Sequence, residues 1–570
     1  MSTLDAVVSC DVAYIHSDFH TQIVTDFDAL RDISFSWDRL WKESPSASIF
    51  QALPWMSAWW KAFGKHLHLC TPLVRQGDGI VGILPLVRNG STLRFLGSPG
   101  ADYCDILCEE ALAPKIIEAA LRALLTVEGW RTCRFANLRD DSMLIRHSKD
   151  LPADILKYLH IYSSARRSSL RLDEDRNAVI DAMRRKSALR RHRNKLQKTG
   201  SVRFFHLEDR AQIHLYLNTL FQQHIGRRAL INEASQFLSP EWREFYHAMV
   251  DELNPRDSLR FSMLELDDRP IACHFGFECK GSLTLYKPTF DVGLFSLSPG
   301  DVLLSEILAY ARERQLNEVD FTVGNESYKE HFTNEIKDIY CAVLNRPDWW
   351  TDICRIFQPL QAWLTDWLRK SRWKQGAGRS LRRMNQRYRE LSLAASLQHK
   401  GRHRVLYKHI AGASSTYANN GLSAKPETFT DLTELAMQYP HSINAHSLQV
   451  YLARLHCGHE CFLVRNDRMT SIAWVRTAAV SMTSDNVSPV PGTVKLLYDD
   501  CALGGVVPTT DNADLLHWFA WHAQAVRSVA CVCLPKWDLA SRRAVRREGF
   551  APWTHARLVQ DRPPVNRLLK

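Results

Sequence analysis

The chain lacks any uncharged apolar run of 18 residues, so no segment is predicted to cross a membrane as a helix. Its start, Met1-Ser2-Thr3-Leu4-Asp5, lacks the basic-then-apolar order of a secretory leader, and the expected location is the cytoplasm. Cysteine is sparse, 14 in 570 residues, and much of it sits in apolar runs such as Val529-Ala530-Cys531-Val532-Cys533-Leu534. That pattern reads as reduced core thiols, not a disulfide framework. His456-Cys457-Gly458-His459-Glu460-Cys461 has no second CxxC to complete a zinc site, and ligands so close in sequence wrap a tetrahedron poorly. No metal is expected. Gly376-Ala377-Gly378-Arg379-Ser380 lacks the lysine and spacing of a phosphate loop and reads as linker.

What is present in excess is local basicity. The net charge is +11, yet residues 184–203 hold nine Lys or Arg and no acid, and residues 369–408 hold thirteen against Glu390 alone. The remainder is therefore net acidic. A basic stretch suits phosphate-rich ligands, RNA or an anionic membrane surface, and a solvated helix face accounts for it equally. The length exceeds what one core can serve, and the 45 % apolar content is that of an ordinary globular protein.

Periodicity divides the chain. Residues 1–170 alternate helix-like and strand-like pieces, among them a Trp-rich helix from Trp55 to Phe63, strands near Leu69–Arg75, Ile80–Arg88 and Thr92–Leu96, and an amphipathic helix over Ile116–Leu125. Residues 171–346 repeat this order: basic helix, strand Val202–His206, helices through 211–251, strands 260–289, helix 301–314 and strand 318–323. Residues 347–404 read as a basic helical linker, with Trp349, Trp350, Ile353, Phe357, Leu360, Leu364 and Trp367 near helical spacing. Trp with basic residues suits a peripheral membrane contact through 349–408, at the inner face of the membrane. Residues 405–570 form another α/β unit.

The segment 270–332 carries the most chemistry. Ile271–Glu278 and Ser282–Thr289 flank Lys280-Gly281 as a predicted hairpin, and a loop then ends in Ser298-Pro299-Gly300-Asp301 before a helix. Pro and Gly in a first turn leave backbone N–H groups aimed out of the helix end, where an anion such as a pyrophosphate is favoured. Ser298, Pro299, Gly300 and Asp301 are the candidate cofactor site. Strand 318–323 then runs into Gly324-Asn325-Glu326-Ser327-Tyr328-Lys329, a dense polar loop. Acyl transfer to an amine or hydroxyl needs a base, oxyanion donors and a proton for the leaving group. The candidates are His274 on the first hairpin strand, Asp320, Glu326, Tyr328 and Lys329. His224 lies one helical turn from Arg227 and Arg228, which suits an anionic substrate.

These pieces resemble a known family. Pro270-Ile271-Ala272, Tyr286, Ser298-Pro299-Gly300 and Asp320-Phe321 followed by Gly324, Glu326 and Tyr328-Lys329 resemble the C-terminal half of GNAT-related acyltransferases of the cellulose-biosynthesis CelD type, relatives of the FemAB peptidyltransferases. Arg190-Arg191-His192-Arg193-Asn194-Lys195-Leu196 with Gly200 resembles the family's basic helix, and His224 with Arg227-Arg228 its His-x-x-Arg helix. Ile49-Phe50-Gln51, Pro54-Trp55 and Trp59-Trp60 resemble its N-terminal half, so the likeness spans about residues 30–345. It implies an α/β (α+β) architecture of tandem GNAT-like folds facing each other, an acyl-CoA co-substrate, and a saccharide or other small-molecule acceptor met by Arg193, His224, Arg227, Arg228 and Tyr286. Exopolysaccharide or cellulose biosynthesis is the implied setting. The FemAB side of the kinship implies instead an aminoacyl-tRNA donor, the one case in which nucleic acid is expected. A non-catalytic scaffold or membrane-surface protein is the reading from a different class. Asp538–Phe550 resembles the end of a GNAT domain, but Pro508-Thr509-Thr510-Asp511-Asn512-Ala513 stands where a phosphate-binding loop would carry a basic residue and glycines. The 405–570 unit therefore reads as a third, degenerate GNAT-like fold.

Overall fold

Two residues with positive φ set the hairpin between the strands Arg269–Cys279 and Ser282–Phe290. Lys280 and Gly281 hold φ of 49° and 76°, the left-handed pair that a two-residue turn between twisted strands requires. The same device recurs at Asp267 and Asp268, with φ of 49° and 60°. The computed structural model describes residues 13–16, 18–172, 178–181, 187–324, 326, 329–347, 404–409, 428–440, 443–456, 460–465, 470–482, 493–498, 530–535, 550–552 and 556–558. The predicted helical linker and Pro508–Ala513 lie outside these residues. The chain forms two units, Met1–Arg227 with Ser239–Gln361, and Arg228–Leu238 with Ala362–Lys570.

In the first unit the strands are β1 Ala13–His16, β2 Phe19–Val24, β3 His68–Leu69, β4 Thr71–Gln76, β5 Gly79–Ile83, β6 Leu86–Asn89, β7 Thr92–Phe95, β8 Leu107–Cys108, β9 Thr132–Arg139, β10 Leu159–Arg171, β11 Val202–Leu207, β12 Leu259–Leu266, β13 Arg269–Cys279, β14 Ser282–Phe290, β15 Glu318–Val323 and β16 Glu335–Asn345. Its main helices are α1 Leu53–Phe63, α2 Ala113–Thr126, α3 Ser187–Gln197, α4 Arg210–Leu230, α5 Pro240–Glu252 and α6 Pro299–Glu313. A five-stranded sheet runs β1-β2-β4-β5-β8, and a mixed eleven-stranded sheet runs β11-β12-β13-β14-β15-β10-β16-β9-β7-β6-β3. The class is α+β.

The two halves meet edge to edge. They share the large sheet, because each half lends its last strand to the other. β10 ends the first half yet pairs with β15 of the second, and β16 ends the second yet pairs with β9 of the first. β10 and β16 then pair with each other along most of their length, from Leu159↔Leu344 to Ser169↔Glu335. Satisfying the backbone groups of two long strands makes this junction part of the core ladder and not a linker.

An aromatic cluster ties the halves together on one face. The Phe50 ring packs against Trp55 and Tyr103 of the first half and against Phe277 and Tyr286 of the second, at centroid separations of 5.5–6.1 Å. Trp55 also meets Phe245 of α5, and Tyr246 meets Phe275 and Tyr286. α6 covers the opposite apolar set, burying Val302, Leu303, Ile307, Leu308 and Ala311 with Leu283, Leu285 and Val319.

In the second unit, strands Glu460–Arg465, Thr470–Met482, Thr493–Tyr498, Ala530–Pro535, Arg404–His409 and Phe550–Pro552 lie in that order in one sheet, with Thr493–Tyr498 parallel to Ala530–Pro535. Helix Phe429–Gln438 begins on a capping box of Thr428 and Asp431. Helix Ala445–His456 follows it. Among the described residues no helix is long and apolar enough to cross a membrane.

Candidate active site

The sheet opens where β14 and β15 part. These parallel strands pair at Ser282↔Glu318, Leu283↔Val319 and Thr284↔Asp320 and no further. Beyond that rung β14 stays with β13 as far as Ala272↔Phe290, while β15 stays with β10 as far as Arg167↔Val323. A bulge marks the same place: Phe275 pairs with Lys287 and Phe277 with Thr284, so β14 carries one residue more than β13 opposite Gly276. A bulge leaves its extra residue outside the ladder and re-aims the strand.

At the mouth of this opening α6 begins. Ser298 precedes it in a left-handed conformation, φ 51°, and its side chain makes no capping bond. Pro299 has no N–H, and the Asp301 and Val302 amides turn back to the Ser298 carbonyl at 3.1 and 3.4 Å. The Gly300 amide is left as the first-turn donor for an outside acceptor. A Cβ at Gly300 would stand 3.1 Å from the Phe290 ring, so glycine lets β14 end close against the helix. The basic helix α3 flanks this start: His192 Nδ1 lies 2.9 Å from Asp301, Arg193 pairs with Glu306 at 3.4 Å, and Lys195 donates to the Ser296 carbonyl at 2.7 Å. Arg190 and Arg191 remain exposed. A partly free helix start beside a basic helix fits a pyrophosphate.

The carboxyl ends of β14 and β15 carry a charged cluster. Lys329 is buried, and its Nζ lies 2.9 Å from Glu326 Oε2 and within 3.4 Å of the Thr322 and Val323 carbonyls. Gly324 holds φ of 147°, and a Cβ there would stand 2.2 Å from Glu326 Oε2 and 2.8 Å from Lys329 Nζ, so glycine makes the ion pair possible. Burial would raise the Glu326 carboxyl, but Lys329, with Arg227 adding, holds it below the ordinary range. Arg227 also donates to the Pro288 carbonyl of β14. Asp102 joins the cluster from the first half, beside Lys287, Thr322, Lys329 and Glu326. Burial pushes its carboxyl up, against the pull of Lys287, the Thr322 hydroxyl and Lys329.

Beneath the cluster lies Asp320. Its Oδ1 accepts from the Tyr103 hydroxyl at 2.8 Å and from the Thr322 amide at 2.8 Å. Thr322 reaches it by adopting φ of 62°, a conformation that costs a β-branched residue on the order of 1–3 kcal/mol. Burial, then the Glu318 carboxylate, pushes Asp320 up to about 6, with the Thr322 amide, Tyr103 and Arg167 pulling the other way. The folded protein thus holds this proton more tightly than the unfolded chain. Ionisation costs stability as pH rises from the ordinary value of 3.8 through about 6. Asp320→Asn keeps an acceptor oxygen and removes the charge, so its melting temperature is expected to gain on wild type between about pH 4 and pH 8. A constant difference across that range refutes the assignment.

Of the candidates, Glu326, Lys329, Asp320, Arg227 and Tyr286 converge here, Tyr286 by donating its hydroxyl to the Gly100 carbonyl at 2.8 Å. His274 does not serve as an accessible base. It is fully buried beside Ser262 and His206, and burial with the His206 imidazole nearby lowers it to about 3, so it is a neutral core histidine. Strand alternation placed it correctly opposite Cys273, but that face is covered by α6. His224 is buried, and Arg228 pairs with Glu233 at 2.9 Å within the segment Arg228–Leu238 of the second unit. Arg193 faces Glu306. Tyr328 lies outside the described residues. Sequence reasoning missed Asp102, Tyr103, Lys287 and Arg167. The available signal was Gly97-Ser98-Pro99-Gly100-Ala101-Asp102-Tyr103, a glycine- and proline-rich loop at a strand end. Among the described residues no group of three or more His, Cys, Asp or Glu is placed to hold a metal ion.

A mixed sheet whose parallel strands part beside a helix start leaves an opening at the carboxyl ends of β14 and β15. Residues 183–330 match the family described as acetyltransferase (GNAT) domain, and the chain thus contains a GNAT acetyltransferase domain. Such a domain implies an acyl-CoA co-substrate. No curated protein matches the sequence. Solved structures similar to it include FemX, at 8 % identity over 54 % of this chain and 95 % of that one, TM-score 0.40. L-PGS from Bacillus licheniformis aligns at 10 % identity over 56 % and 95 %, TM-score 0.36. A GCN5-related N-acetyltransferase from Sphaerobacter thermophilus aligns at 12 % over 59 % and 98 %, TM-score 0.29.

Proposed function

We propose that the first unit is a tandem GNAT arrangement that moves an acyl group from acyl-CoA to an amine or hydroxyl of a sugar, sugar nucleotide or related metabolite. The observation that carries this reading is the parting of β14 from β15 next to the α6 start, inside the segment that matches the acetyltransferase family. Acyl-CoA supplies the activated thioester. Gly300, with the basic face of α3 nearby, would hold its pyrophosphate, and the bulged edge of β14 would lie along the reacting end. Asp102, Glu326, Lys287, Lys329 and Arg227 put charges of both signs around the opening, which suits a polyhydroxyl or amino acceptor with a charged group. An exopolysaccharide precursor has that chemistry.

Isothermal titration with CoA and acetyl-CoA tests the reading. Gly300→Asp places a carboxylate where the pyrophosphate would sit and is expected to weaken acetyl-CoA binding by about tenfold or more. Gly300→Ser adds a comparable Cβ against Phe290 without charge and is expected to bind nearly as wild type. Equal affinities for the two variants would remove the helix start from the cofactor site. Gly300→Trp is a poorer probe, because it would also displace Phe290.

A further inference from the structure

We propose that Asp102, contributed by the N-terminal half, accepts the proton of the acceptor's nucleophile, so that the transfer site is complete only with both halves of the first unit. This rests on the acyltransferase reading above.

The loop that carries Asp102 is pinned around it. Trp59 Nε1 donates to the Pro99 carbonyl, Tyr286 to the Gly100 carbonyl, Asn137 Nδ2 to the Ala101 carbonyl and the Tyr103 hydroxyl to Asp320, each at 2.8 Å. Two of these bonds, from Tyr286 and to Asp320, join the loop to the strands that part. The neighbouring Asp105 is fully used: it accepts from Ser46 at 2.7 Å and from the Met143, Ile106 and Leu144 amides at 2.6, 2.9 and 3.3 Å. Asp102 is partly exposed. It faces Lys287 of β14, Thr322 of β15, and Glu326 and Lys329 of the following loop, with Tyr103 and Tyr286 at its sides.

The other carboxylates of the cluster are less suited. Glu326 is neutralised by Lys329, and Asp320 is buried under Tyr103 and Thr322. Asp102 combines access with a site that favours its protonated form, the property wanted of a base working near neutral pH. In the step, the acceptor nitrogen or oxygen forms its bond to the acyl carbon as the carbon–sulfur bond breaks. Its proton passes to the Asp102 carboxylate, and the electron pair of the broken bond leaves on sulfur. Water then carries the proton from Asp102 to the thiolate, restoring the carboxylate.

The test compares full-length wild type, Asp102→Asn and Asp102→Glu. Acetyl-CoA affinity by calorimetry is expected to stay within about threefold. Thiol release from acetyl-CoA with excess glucosamine as surrogate acceptor is expected to fall by about 10²–10⁴-fold in Asp102→Asn. In Asp102→Glu it is expected to recover in part, with a displaced pH profile. Without any cofactor, the infrared difference between wild type and Asp102→Asn is expected to show a carboxyl titrating above the usual range. A carboxyl titrating in the ordinary range overturns the proposal, as does an Asp102→Asn enzyme with the wild-type rate and pH profile. If wild type neither binds nor cleaves acetyl-CoA, the acyltransferase reading falls and this falls with it. If wild type does both and Asp102→Asn matches it, only the proposal falls.

Discussion

Replacing Lys329 with methionine is expected to lower acyl transfer by about 10²-fold or more while leaving most of the fold in place. The ammonium is 3 % exposed, touches two backbone carbonyls and pairs with Glu326 at 2.9 Å. It is a fixed positive charge at the carboxyl end of β15, and a preorganised charge shielded from water is where electrostatic stabilisation of a reacting centre is largest. Methionine fills similar space without the charge. Glu326 then loses the partner that holds it below the ordinary range, so its folded-state proton affinity rises. The stability that Glu326 contributes in wild type is present above the ordinary value of 4.5 and is lost as pH falls through its depressed folded value. In Lys329→Met that acid-side loss should flatten. Lys329→Arg is not expected to rescue, because a planar guanidinium cannot take the place of a compact ammonium between two carbonyls and a carboxylate. Initial rates of thiol release and melting curves across pH read both effects, and an unchanged rate would remove Lys329 from the reaction.

Arg167→Met is expected to cost about 3–5 kcal/mol of stability at neutral pH. Arg167 is 2 % exposed on β10 and lies 3.4 Å from Glu318, 3.7 Å from Asp140 and 3.8 Å from Glu335. Removing Arg167 leaves the buried Glu318 with a longer 3.9 Å pair to Arg171, while Asp140 and Glu335 keep Lys337 at 3.7 and 3.3 Å, so the cost falls mainly on Glu318. Because β10 is the strand that the first half lends to the second, the damage falls on the junction of both. The loss should shrink in acid as the carboxylates take up protons. Denaturant unfolding at neutral and acid pH measures it, and a loss below about 1 kcal/mol would mean that the carboxylates find solvent.

The hairpin at Lys280-Gly281 was readable because turn chemistry is local: two positive φ values need residues that tolerate them. Helix α6 was readable from its apolar spacing and its Pro-Gly start. The gathering of Asp320, Glu326 and Lys329 was readable because they follow one strand within a few residues. His274 shows the limit. Alternation gave its face, but which face a helix would cover is set by packing from elsewhere in the chain. Arg193 and Arg228 looked like binding residues, yet Arg193 of the basic helix pairs with Glu306 of α6, and Arg228 pairs with Glu233 just beyond the end of its own helix.

By itself the sequence determined the local elements, the crowding of polar residues just after β15 and the Pro-Gly start of α6, because these depend on neighbours along the chain. Only the tertiary structure decided that β10 and β16 change places, and that a loop some 200 residues away brings Asp102 and Tyr103 onto β14 and β15. The physical reason is that strand pairing and charge burial are satisfied across space, between residues whose separation in sequence carries no signal of contact.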